Sequence, residues 1–310
     1  MKEFSVVFIC QPGELEIKAA LLAASLRQNW GYGLDLHCGI PEILGTETLP
    51  MNHTIDFLES LDTKIHKFKN PIINNEPRSM PGSKFSNKLF CFPKDLKNDR
   101  VLFLDSDIIC LKKPDLHNTI ESEFASCQAF RSLNLNWKEL YSLTEIPDPG
   151  IRVKSILDGK TGPPYFNSGV FTIATKHLGL FLSEWQRLFQ FSRELLKDEK
   201  HLHHSDQISL SLAVQKLELS YEILPKNYNF PSGNYLADEN SYFAHYHGPE
   251  KILRDPLLYR TTVKLANKYP DIVKIAGNYH FWKEMISESW HPVGINLYYK
   301  LRKIMRKVQM

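Results

Sequence analysis

The stretch "VLFLDSDIIC", Val101 to Cys110, is strongly apolar except for two carboxylates two residues apart. Side chains alternate along a strand, so Asp105 and Asp107 are expected on one face and Ser106 on the other. Like charges side by side repel. Burial makes each costlier unless it is paired, hydrogen-bonded or bound to a metal. A divalent cation would relieve the repulsion and use both carboxylates. Without it, removing one acid is expected to leave the fold intact or more stable. The alternative is a strand ending in a solvated turn whose acids cap the next segment, and a bare D-x-D is too short to choose between the two.

Outward from this segment, strand and helix patterns alternate. "FSVVFIC" (4–10) reads as a strand, "LEIKAALLAASLRQN" (15–29) as a helix, "LDLHCGI" (34–40) as a second strand, and 52–66 as a helix and short strand. Segment 70–83 is a Pro/Asn/Ser loop, and "KFSNKLFCFPKDL" (84–96) reads as a helix presenting Phe85, Leu89 and Phe92. Beyond the D-x-D, "YFNSGVFTI" (165–173) is a strand, 177–196 and 205–217 are helices with Ser205 as N-cap of the second, and "SYEILP" and "YFAHYH" are strands. This order predicts an α/β fold with a mostly parallel, Rossmann-like central sheet flanked by helices. Ligands of such sheets bind at the carboxyl ends of strands, where Asp105 and Asp107 fall. Segment 131–164, rich in Pro and Gly, reads as an active-site loop. The division expected is a ligand-binding domain over 1–255 and a helical C-terminal annex over 256–310.

The net charge of +3 on 310 residues is too small for general nucleic-acid binding, so no nucleic-acid partner is expected. The charge is uneven: 296–310 carries Lys300, Arg302, Lys303, Arg306 and Lys307 and no acid. With Leu297, Leu301, Ile304, Met305 and Val308 at helical spacing, this tail has the pattern of a helix on an anionic membrane surface, the competing reading being a terminal helix packed on its own domain with its charges exposed. Five cysteines, an odd number in strand-like runs, suit reduced buried thiols. The N-terminus has no span-length apolar run and no cleavage pattern. The protein is expected to be cytoplasmic, with peripheral attachment to the inner face of a membrane through its tail.

Three further motifs carry chemistry. In "HYHGPEK" (245–251), His245 and His247 share a strand face and are metal-ligand types, Gly248 permits close backbone approach, and Lys251 suits a phosphate. The competing reading is a strand ending in a Gly-Pro turn. "YFNSGV" buries Asn167, which needs partners. "HHSDQ" places Asp206 and Gln207 at a helix start, where an acid is otherwise explained by capping. "HLHH" (201–204) reads as the loop before that helix.

Together "NKLFCFPKDLKNDRVLFLDSDIIC", "YFNSGVF", "SDQISL" and "HYHGPEK" occur in the order seen in retaining glycosyltransferases of family 8, which the chain resembles over about residues 84–255. The resemblance implies a GT-A fold over 1–255, a UDP-sugar donor, and manganese, or magnesium in its place, held by Asp105, Asp107 and His245. It places Gly248 and Lys251 at the diphosphate. Lys88, Ser106, Asn167 and Ser168 stand around the donor. Asp206, Gln207 and Lys251 are implied as the catalytic set. The acceptor would be a glycan or lipid-linked glycan. Three departures stand out: Ile252 and Leu253 follow Lys251, Gln128 stands where an aspartate is usual, and "CQPGELE" follows the first strand. Gln207 is a poor nucleophile, so same-face attack with Asp206 and Gln207 stabilising the sugar is the more economical retaining route. The competing classes are a sugar-phosphate nucleotidyltransferase and a non-catalytic nucleotide-sugar-binding protein. The first would carry a Gly-rich basic loop after strand one, where "QPGELE" has acids. The second is disfavoured by the intact Asp105, Asp107, His245 and Lys251.

Overall fold

The computed structural model describes residues 4–42, 49–72, 83–196 and 199–287. The first half alternates β1 (Phe4–Ile9), α1 (Leu15–Asn29), β2 (Asp35–Glu42), α2 (Asn52–Ser60) and β3 (Thr63–Lys69), close to the sequence expectation. A short 3-10 helix (Ser83–Leu89) then replaces the helix expected over 84–96. Pro93 lies in that interval, and proline disfavours helix at the residue before it. β4 (Arg100–Leu104) and β5 (Ile108–Cys110) follow, with the D-x-D between them.

Next come β6 (Phe124–Gln128), a helix α3 (Trp137–Leu143), a small hairpin of β7 (Val153–Lys154) and β8 (Thr161–Gly162), and the long β9 (Phe166–Ala174). The 131–164 segment is therefore more ordered than a bare loop. Asp158 accepts hydrogen bonds from the backbone and hydroxyl of Ser132, tying the hairpin down. The chain continues through α4 (Thr175–Leu195), α5 (Ser205–Lys216), β10 (Tyr221–Leu224), β11 (Phe230–Pro231) and β12 (Phe243–His245). Four helices end the described chain: α6 (Pro249–Arg254), α7 (Pro256–Lys268), α8 (Pro270–Ala276) and α9 (His280–Ser287).

The main sheet has the order β10-β6-β9-β4-β1-β2-β3. All its pairings are parallel except those of β9, which runs antiparallel to both β4 and β6. That reversal brings the amino-terminal residues of β9 to the edge where β4 ends. Asp105 N–H donates to the Gly169 carbonyl at 2.8 Å there. β5 leaves the main sheet for a second one of order β11-β12-β5, in which His245 pairs with Ile108. The D-x-D is thus a turn between two sheets, and the apolar residues after it form a strand of the second.

α1 is buried from Ile17 to Arg27, which its Ala- and Leu-rich sequence permits by letting backbones approach closely. It shares one core with the C-terminal helices through residues such as Leu258, Ile272 and Trp282. α4 and α5 cover the other face with Phe181, Trp185 and Leu210. All five cysteines are buried and free. No helix among the described residues is long and apolar enough to cross a membrane. The basic tail 296–310 and most of loop 70–83 lie outside the described residues.

Glu16 joins the layers. One carboxylate oxygen accepts from Gly13 N (3.2 Å) and the Tyr279 hydroxyl (3.1 Å), the other from Met51 N (2.9 Å) and the Thr54 hydroxyl (2.7 Å). Removing an acceptor strands these donors in the interior. Glu16→Ala should cost about 2–4 kcal/mol in urea unfolding and Glu16→Gln less. An unchanged midpoint in the alanine variant would show that the clamp contributes nothing.

Candidate active site

The turn after β4 separates its two acids, and each meets its own cation. Asp105 faces Lys88, whose ammonium donates to Asp105 Oδ2 (3.0 Å), Asp206 Oδ2 (3.1 Å) and Ser168 Oγ (3.1 Å). Ser168 also donates to Asp206 at 2.6 Å. The 3-10 helix that carries Lys88 is fixed by Asn70, which donates to Ser86 and Asn87. Burial alone would lower the Lys88 ammonium, but Asp105 and Asp206 outweigh it and hold the group above its ordinary value. Burial, with Asp107 nearby, lifts Asp105 above the usual carboxylate range in spite of Lys88.

Asp107 faces the histidines. His245 Nε2 lies 3.1 Å from Asp107 Oδ1, and its Nδ1 lies 3.1 Å from Asn229 Oδ1. An Nδ1–H held by Asn229 leaves Nε2 as the working nitrogen. Burial would raise the Asp107 carboxyl, but His245 and Lys18 outweigh it and hold it well below the usual range. His247 Nδ1 lies 3.9 Å from Asp107 Oδ2, and its half-exposed ring sits 4.0 Å from that of His245. The charge of His245, ahead of burial, pushes the His247 imidazole well below its ordinary value. The edge of Phe130 meets both imidazoles.

Ligand atoms of Asp107, His245 and His247 lie within 4.8 Å of one another, a cluster that could hold a metal ion. One carboxylate and two imidazoles suit a divalent transition metal. Two of the three expected ligands, Asp107 and His245, are in this cluster. Asp105 is adjacent but engaged by Lys88, and His247 takes the place in the cluster. Sequence already placed the two histidines on one face but singled out only His245. Gly169 is what lets the motifs converge: a Cβ there would fall 2.7 Å from Asp105 Oδ2 and 2.8 Å from His245 Cε1.

The remaining expected residues divide. Asn167 is buried beside the acids, its side-chain oxygen accepting from Gly169 N. Gln207, on the first turn of α5, bonds His204, and its Oε1 is buried without a partner. Gly248 precedes α6, and the aliphatic stem of Lys251 packs over Gly233 while its charge is felt at His247. Ser106 points away, its hydroxyl donating to the Ile9 carbonyl at 2.5 Å, so it ties the turn to β1. Ser205 is not an N-cap: it is the first residue of α5 and donates back to Leu202 O. Asp206 is likewise turned from capping toward Lys88. Gln128, where the resemblance expects an aspartate, accepts from Tyr165 N.

Lys18 escaped the sequence reading. It reaches from α1 to the His247 carbonyl (2.5 Å) and to within 3.8 Å of Asp107 Oδ2. The loop after β1 is acidic in sequence, yet Glu16 is turned inward and Lys18 faces the site. The loop itself still presents the exposed Glu14, and the positive charge at the site comes from the helix that follows it.

A mostly parallel sheet with two acids at its carboxyl edge, facing two histidines and two buried lysines, is the arrangement of the GT-A fold. The chain belongs to the family described as the Rhodobacterales glycosyltransferase domain, whose model matches residues 6–218. A search of curated proteins finds no match. Among solved structures, the bifunctional glycosyltransferase WbbM aligns over 89% of this chain at 13% identity and a TM-score of 0.54. The chain spans 51% of WbbM's length. The galactosyltransferase LgtC, solved with donor and acceptor sugar analogs, aligns over 86% of this chain and 96% of its own at 14% identity and a TM-score of 0.48. Mouse xyloside xylosyltransferase 1 aligns over 79% of this chain and 98% of its own at 13% identity and a TM-score of 0.45.

Because each acid has its own cation, the crowding expected from the sequence is partly relieved, although Asp107 still lifts Asp105. Asp107→Ala should abolish Mn2+ binding in calorimetry. It should also destabilise the metal-free protein by about 1–3 kcal/mol, since it removes the acceptor that Lys18 and His245 both face. A gain in metal-free stability would restore the like-charge account.

Proposed function

We propose that this glycosyltransferase is a metal-dependent, retaining enzyme of the family 8 kind that moves a glucose- or galactose-type hexose from a UDP-sugar to a glycan or lipid-linked glycan. The observation that carries the reading is the union of two clusters at one sheet edge: Asp107 with His245 and His247, and Lys88 with Asp206 and Ser168. The first suits Mn2+, or Mg2+ in its place, beside the leaving diphosphate. The bound ion would supply charge stabilisation as the glycosyl–phosphate bond breaks. Lys251, on α6 next to Gly248, would meet the same growing charge.

Asp206 is the carboxylate best placed to stabilise positive charge on the sugar. Lys88 and Ser168 fix its orientation, so it needs no rearrangement to do so. Gln207 Oε1 is buried without a partner, a polar group that a donor sugar reaching it would satisfy. An amide is a weak nucleophile, which favours attack on the same face over a covalent intermediate on Gln207. Asn167 and Ser168 complete the donor-sugar wall. Ser106, hydrogen-bonded to β1, supports the turn and leaves the donor set.

The acceptor reading rests on a cavity of about 370 Å³ lined by Gln128, Trp137, Arg152, Lys160 and Tyr165 among others. Trp137 and Tyr165 have ring centroids 5.4 Å apart, giving an apolar face for a sugar ring, and Phe130 carries the same segment onto the histidine pair. The basic tail supports a lipid-linked acceptor at an anionic membrane surface on sequence grounds.

The test is release of UDP from UDP-glucose and UDP-galactose with Mn2+, with and without EDTA, together with NMR of the anomer formed on a glycan acceptor. We expect metal-dependent turnover of one donor with retention. Lys251→Ala should lower kcat at least about tenfold with little change in uridine binding. Turnover unaffected by EDTA, or inversion, would overturn the reading.

A further inference from the structure

Lys18 lies in the first turns of α1 and is 9% exposed. It belongs to none of the motifs that point to the donor site. Its side chain crosses from the helix to the turn that follows β12. There it donates to the His247 carbonyl at 2.5 Å, stands 3.8 Å from Asp107 Oδ2 and 5.9 Å from the Tyr246 ring centroid. The turn it holds is unusual. His247 has φ +58, a left-handed value that strains a non-glycine residue. Gly248 N–H closes the turn on the Tyr246 carbonyl at 2.6 Å.

An ammonium placed beside Asp107 has a definite electrostatic consequence. It shares that carboxylate with any cation held by Asp107, His245 and His247, and it repels that cation. A metal arriving alone therefore meets a site already partly neutralised. A metal arriving with a diphosphate does not, because the anion satisfies both positive charges. The Lys18 ammonium then has a better partner than a neutral carbonyl, since hydrogen bonds between ionised groups are the stronger kind.

We propose that Lys18 is a diphosphate-binding residue that makes metal and diphosphate binding depend on each other. It weakens metal held alone and strengthens metal held with the anion. The inference rests on the donor site set out under the proposed function. It adds a ligand supplied by α1, opposite Lys251 on α6. By linkage, the gain that the diphosphate gives the metal equals the gain that the metal gives the diphosphate, and Lys18 sets part of that coupling.

The test compares wild type, Lys18→Gln and Lys18→Met by calorimetry with Mn2+ alone, with pyrophosphate plus Mn2+, with UDP plus Mn2+ and with uridine. Glutamine removes the charge and keeps an amide donor on a side chain one bond shorter, whereas methionine removes charge and donor together, so the pair separates electrostatics from loss of the strap. Thermal melting checks that each variant is folded. In both variants Mn2+ alone should bind about threefold more tightly. Pyrophosphate and UDP with Mn2+ should bind about tenfold or more weakly, with uridine unchanged. Wild-type behaviour in Lys18→Gln would reduce Lys18 to a strap and overturn the proposal, as would a wild-type protein that binds no pyrophosphate with Mn2+. A wild type that binds pyrophosphate but not UDP would leave Lys18 in place and remove the uridine nucleotide from the proposed function.

Discussion

Two carboxylates, Asp105 and Asp107, must coexist where the chain passes from one sheet to another. Asp105 closes the register of β4 by donating its N–H to Gly169, and the Asp107 carbonyl accepts from Tyr246 N at 3.1 Å. Their backbones are fixed by different partners, so their side chains diverge. Asp105 turns to Lys88, and Asp107 turns to His245 and Lys18. Burying either acid without its cation would cost several kcal/mol, so the surrounding elements are constrained to deliver those cations.

Much of the topology serves that constraint. The reversed β9 brings Asn167, Ser168 and Gly169 to the carboxyl edge of the sheet. The second sheet carries His245 back onto Ile108, beside Asp107. Asn70 fixes the 3-10 helix that presents Lys88, and α1 sends Lys18 across the top of β1. Glycine at 169 is required because three side-chain groups crowd the space a Cβ would fill. The C-terminal helices matter through Glu16: its bond to Tyr279 locks the loop from which α1, and so Lys18, begins.

The periodic parts of this architecture were legible in the sequence. α1 has the bounds that its composition and spacing indicate, and the alternation of elements gave the α/β class, because burial on a sheet face leaves a strong local pattern. Four motifs told which residues would gather at the sheet edge. What the sequence could not carry was direction and pairing. The break of "VLFLDSDIIC" into strands of two sheets is a non-local event. So is the inward turn of Glu16, whose partners lie as far away as Tyr279. Lys18 sits in an ordinary helical pattern, and only the fold shows that its charge reaches Asp107. His247 was visible as a neighbour of His245, but its left-handed backbone takes it off simple strand alternation.

The central claim is that Asp107, His245 and His247 form one metal site at the head of the sheet. Pulsed electron paramagnetic resonance of the Mn2+-loaded protein with UDP reads this directly, through magnetic coupling of the metal to ligating imidazole nitrogens. The account predicts coupling to two histidine nitrogens, reduced to one in His247→Ala. A spectrum with no nitrogen coupling, or one unchanged by that substitution, would contradict it.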